Sequence, residues 1–86
     1  MKLRFISDSG HGWLGVPLDT YPDAVECGTG YGFFDAINNV IYLEEDVEVS
    51  MFFVQHPEAA ADVVHEYVDG DSPIRKLPRN EALLKA

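Results

Sequence analysis

Three groups of residues in this chain have side chains suited to chemistry. His11 stands between Gly10 and Gly12 in the stretch SDSGHGWLGVP, with Asp8 three residues before it. A histidine flanked by glycines is sterically open, so its imidazole has the access a general base or a metal ligand needs. No serine, cysteine or acid stands at a spacing that completes a nucleophile and base. Asp8 in such a turn is expected to bond to its own backbone. The second group is the carboxylate run Glu44, Glu45, Asp46 and Glu48, whose oxygens suit a hard cation such as Ca²⁺ or Mg²⁺. It lacks EF-hand spacing, and acids gather at helix N-termini for electrostatic reasons of their own. Asp69-Gly70-Asp71 is read in the same way. The third group is CGTGYG, with Gly28, Gly30 and Gly32, which has the look of half a phosphate-cradling loop. A dinucleotide fingerprint opens an amphipathic helix, whereas FFDAINNVIYL reads as strand, so a flexible hairpin loop is expected. His56 and His65 lie on either side of Pro57 at no metal-ligand spacing. These residue types and spacings therefore point to no catalytic residue, no metal site and no cofactor.

The elements that would position these groups follow from apolar periods. A length of 86 residues makes one domain, 1–86, with room for one modest core. Residues 1–45 read mainly as strands. KLRFI alternates as a first strand, SDSG turns it, and Trp13 to Leu18 returns, with Pro17 marking an edge or a strand end. Asn38-Asn39 is expected to turn a second hairpin that closes on Val40 to Leu43. Residues 46–70 read as mainly helical. Asp46 is expected to cap a first helix that places Val47, Met51 and Val54 on one side and ends near His56. Pro57 then opens a second helix, with Ala60, Val63, Val64, Tyr67 and Val68 inward and Gly70 as its stop. The outer face of that helix would carry Glu58, Asp62, His65, Glu66 and Asp69. Residues 71–86 form a basic tail, loose or ending in a short helix. The expected fold is α+β: a small three- to four-stranded, mostly antiparallel sheet packed on one face by one or two helices.

Charge is distributed unevenly. Lys2 and Arg4 are the last basic residues before Arg75, and the interval between holds fourteen of the fifteen acidic side chains, for a net charge of −9. An acidic field of this kind is tolerated when it attracts a cationic partner, keeps the protein soluble or belongs to a salt-adapted host. Direct nucleic-acid binding is not expected, because phosphate calls for a basic face. One cysteine, Cys27, allows no intramolecular disulfide and suits a reducing compartment. No apolar run has the length of a signal peptide or a membrane span, so a cytoplasmic protein without membrane contact is expected.

The segments Asp8, Gly10 to Leu14, Val16 with Pro17, Tyr42 to Asp46, and Arg75 with Arg79 resemble a set of short acidic proteins of unassigned function. Those proteins come from bacteriophages, prophages and other bacterial mobile elements and share a GHGWL…YLEED pattern. The resemblance thins between Leu18 and Phe33. It implies a genomic setting and a bacterial host cell, and it carries over no catalytic residue.

The functional expectation is a non-catalytic interaction protein whose acidic face docks on a basic, nucleic-acid-binding surface of a partner protein. An inhibitor of a host defence system that imitates a DNA backbone would be one such protein. The face would comprise Glu44, Glu45, Asp46, Glu48, Glu58, Asp62, Glu66 and Asp69, with Trp13 or Tyr31 as a desolvated aromatic anchor. The alternative is a small enzyme, or a metal- or ligand-binding domain, using the His11 turn and nearby carboxylates. It requires His11 and an acid to converge on one concave site.

Overall fold

A carboxylate closes the first hairpin. In the computed structural model, which describes residues 2–81, β1 (Leu3–Ser7) and β2 (Gly12–Pro17) pair antiparallel up to Ser7 opposite Gly12. Asp8 Oδ1 accepts from the N–H groups of Gly10 and His11, both at 3.0 Å, and the Asp8 N–H donates to the His11 carbonyl at 2.8 Å. The expected turn is thus present, and its aspartate bonds locally. Pro17 ends β2, at the point where a missing N–H costs the ladder least.

Strands β3 (Phe33–Asp35) and β4 (Val40–Glu44) form the second hairpin, and β4 pairs with β2. Asp35 organises the turn by accepting from the N–H groups of Ile37 and Asn38. Asn39 takes φ 55°, a left-handed conformation that asparagine tolerates. The turn is therefore longer than the expected Asn-Asn pair.

The region after residue 46 departs from expectation in two ways. Helix α1 (Glu48–Gln55) starts one residue late, with Val47 rather than Asp46 at its N-cap, and no side chain caps it. Its inner face is Glu48, Val49 and Phe52, whereas Val47, Met51 and Val54, expected together on one side, are exposed at 47%, 39% and 82%. The second departure is larger. Pro57–Asp62 form a 3₁₀ turn, and Val63–Tyr67 form strand β5 where a helix was expected. β5 lies parallel to β1, from Leu3 opposite Val63 to Ser7 opposite Tyr67. Two adjacent valines and a tyrosine suit a pleated surface, and the free edge of β1 supplies ladder partners no isolated helix could offer. Gly70, read as a helix stop, instead takes φ 74° in the loop after β5.

The result is α+β with a mixed five-stranded sheet ordered β3-β4-β2-β1-β5, where three or four strands in a mostly antiparallel array were expected. Both faces are covered. On one, α1 and the 3₁₀ turns at Pro22–Cys27 and Pro57–Asp62 pack Val49, Phe52, Ala24, Cys27 and Ala59 against Leu3, Leu14, Val16, Ile41 and Leu43. On the other, Ile6, Trp13 and Phe33 are covered by Ile74, with Leu77 and Val68 beside it. Each such large side chain contributes roughly 1.5–3 kcal/mol by leaving water. The tail is therefore a covering layer through Asn80, pinned by a Phe33–Arg79 bridge and by the Phe34 N–H donating to the Pro78 carbonyl at 2.9 Å. The short terminal helix considered above lies outside the described residues.

Candidate functional site

Segments distant in sequence meet at the end of the sheet where the first hairpin turns. They enclose a cleft of about 450 Å³. Its floor is aromatic: Trp13 and Phe33 meet edge to face with ring centres 5.9 Å apart. Arg75 lies 5.2 Å above the Trp13 ring and Arg79 lies 4.5 Å above the Phe33 ring, both within cation–π range. His11, Tyr31, Glu44, Asp46 and Val47 complete the wall.

Arg75 is placed by Asp8. Its Nε donates to Oδ2 at 2.7 Å and its Nη2 to Oδ1 at 2.8 Å, a bidentate pair around a side chain with no exposed surface. The Ser72 N–H adds a further bond to Oδ2 at 2.9 Å. The Arg75 guanidinium above all, and then the N–H groups of Ser72, Gly10 and His11, hold the Asp8 carboxyl far below the usual carboxylate range. Asp8 thus fixes the hairpin turn, the tail and one wall of the cleft together. Arg79 donates to the Tyr31 carbonyl at 3.0 Å, and among the described residues it pairs with no carboxylate.

A second network holds the glycine-rich loop. Glu48 is fully buried, and its two oxygens accept from the Thr29 N–H at 2.6 Å, the Thr29 hydroxyl at 2.8 Å, the Glu44 N–H at 2.9 Å and Asn80 Nδ2 at 2.9 Å. Asn80 also accepts from the Gly30 N–H at 2.9 Å. A Cβ at Gly32 would stand 2.0 Å from the Tyr42 carbonyl oxygen, so only glycine lets the chain pass there. CGTGYG is therefore an anchored loop tied to α1 and the tail, not a flexible hairpin loop, and its glycines serve close packing.

The residues expected to form a docking face divide. Glu45, Asp46, Glu58 and Asp69 are exposed, Asp62 is half-buried, and Tyr31 is 63% exposed. Trp13 is buried in the cleft floor and Glu48 beneath α1, so neither can act as a surface contact. Glu44 is largely buried and accepts from the Val47 N–H at 3.4 Å. Glu66 lies on β5 and holds Arg4 through two bonds of 2.5 and 2.9 Å, away from any helix face. The expected acidic helix face does not form, because Glu58 to Asp69 run through a 3₁₀ turn, a strand and a loop.

One oxygen from each of Glu44, Glu45 and Asp46 can lie within 4.8 Å of the others. Three adjacent carboxylates fall short of the six to eight oxygens that Ca²⁺ takes. The imidazole of His56, by contrast, is engaged: Nε2 lies 2.8 Å from Asp23 Oδ2 and Nδ1 lies 3.4 Å from Glu58. The bond to Asp23 raises its pKa above the ordinary value.

Sequence reasoning missed Arg75 and Arg79 as cleft residues and Asp8 as the group that positions one of them. The partners Asp8 and Arg75 stand 67 residues apart, and nothing local signals that pairing. No protein-family model, curated protein or solved structure matches the chain. Among the described residues no helix is long and apolar enough to cross a membrane.

Proposed function

We propose that this chain is a small acidic, non-catalytic interaction protein that docks on a basic, nucleic-acid-binding surface of a partner protein in a bacterial cytoplasm. The phage-like pattern of its segments makes inhibition of a host defence system a fitting role. One observation carries the reading: exposed carboxylates are left without a cation partner, while two of the chain's arginines are taken up by its own acids. Arg4 is held by Glu66 and Arg75 by Asp8, yet among the described residues no lysine or arginine nitrogen lies within 4.0 Å of Glu45, Asp46, Asp62 or Asp69. A field of that sign speeds encounter with a cationic surface and weakens as salt screens it.

The test is affinity capture from bacterial lysate on the immobilised chain, with elution by salt and by duplex DNA. Partners that bind nucleic acid, leave at moderate salt and are displaced by DNA support docking on a DNA-binding surface. Capture of nothing above background, or of partners indifferent to DNA, would overturn it.

A second reading is favoured by the cleft itself. His11, Glu44 and Asp46 do line one concave site, which a ligand-binding domain requires. Titration with Mg²⁺, Ca²⁺ and Zn²⁺ distinguishes the two: a stoichiometric ion lost on His11→Ala supports the ligand-binding reading, and its absence leaves docking alone.

A further inference from the structure

Helix α1 inverts the usual order of burial. It places a glutamate at zero exposure and leaves Val47, Met51 and Val54 facing water. Those three stand at i, i+4 and i+7, so they form one stripe along a helix about 12 Å long. Isolated exposed apolar residues are ordinary, but an aligned stripe opposite a buried carboxylate is informative. The inner face is committed: Glu48 anchors Thr29, Glu44 and Asn80, and Phe52 fills the core. Val47 also lines the cleft, so stripe and cleft mouth are continuous, with the exposed Tyr31 on the same wall.

We propose that this stripe is the apolar anchor of the docking face and that it receives an amphipathic, basic helix of a partner protein. This rests on the interaction reading above and names the chemistry of the partner. Charge selects the occupant. Exposed Glu45 and Asp46 precede α1, exposed Glu58 follows it, and α1 itself carries no lysine or arginine. A second copy of the chain would bring like carboxylates together on a molecule of net charge −9. A helix with leucine-like residues on one side and lysine or arginine beside them satisfies both the stripe and its acidic ends.

The probes are three synthetic peptides of about 18 residues, roughly five helical turns. One is a Leu/Lys sequence with leucines at helical spacing, the second has the same composition scrambled, and the third replaces Lys by Glu. The Leu/Lys helix is expected to bind at least about ten-fold more tightly than the scrambled peptide, with shifts at the Met51 methyl signal. The double variant Met51→Gln, Val54→Gln changes only exposed side chains and is expected to erase that preference. Equal binding of helix and scramble, or an unchanged preference in the variant, overturns the stripe and leaves salt-dependent docking standing. Failure of both lysine peptides to bind overturns both proposals. Equal binding of the Leu/Glu helix overturns the basic occupant, as does concentration-dependent dimerisation abolished by the variant.

Discussion

Asp8 and Glu48 show how much one carboxylate organises in a small chain. Each gathers donors from segments far apart, and each is closed to solvent. Among the described residues no buried side-chain polar atom lacks a partner, so removing either group strands donors that water cannot reach. Glu48→Ala is expected to cost about 3 kcal/mol or more, read by urea unfolding, because four donors lose their acceptor. Asp8 has a folded pKa below its unfolded value, so its contribution is complete above the unfolded value of about 3.9 and is lost as pH falls below it. The wild-type chain should therefore lose more stability between about pH 6 and pH 3 than Asp8→Asn does, measured by urea midpoints at each pH. Cys27 is buried, and burial pushes its thiol pKa up. A thiol reagent should label it only in urea, and rapid labelling of the native chain would contradict its place in the core.

Elements were legible where local chemistry decides them. The Asp8 turn, the first two strands and β4 follow from alternation and turn residues acting over a few positions. Choices set by distant partners were not legible. The 3.6-residue pattern from Ala60 to Val68 is real, yet β1 offered a ladder, and Val63 to Tyr67 took it. Glu48 was expected on the docking face because glutamate is ordinarily solvated, and nothing near it announces Asn80, which lies 32 residues on. Of the expected docking residues, the exposed acids survive as candidates, while Trp13 and Glu48 were absorbed by packing. Two measurements check this level of organisation. Gly32→Ala places a methyl against the Tyr42 carbonyl and should destabilise by at least about 1–3 kcal/mol. His56, with Asp23 and Glu58 at its nitrogens and Tyr21 and Phe52 against its ring, has a folded pKa above the unfolded one. Its contribution is present below about pH 6.5 and is lost as pH rises through the folded value, so His56→Gln should flatten stability over that interval.

Across the whole molecule, charge and shape are arranged on different principles. Shape comes from two apolar layers, one built by α1 and one by the tail. Charge comes from a long interval without lysine or arginine, and the fold pairs Arg4 with Glu66 at the surface and Arg75 with the buried Asp8. The acidic balance was plain in the sequence because it is a matter of counting. Which carboxylates would be neutralised was not, since that depends on where β5 and the tail come to lie.

The most direct measurement is the salt dependence of the association constant for a captured partner, compared between the wild-type chain and Glu45→Gln, Asp46→Asn. The account predicts a steep fall in affinity with salt for the wild type and a shallower slope for the variant. A slope near zero, or the same slope in both, would contradict docking through these carboxylates.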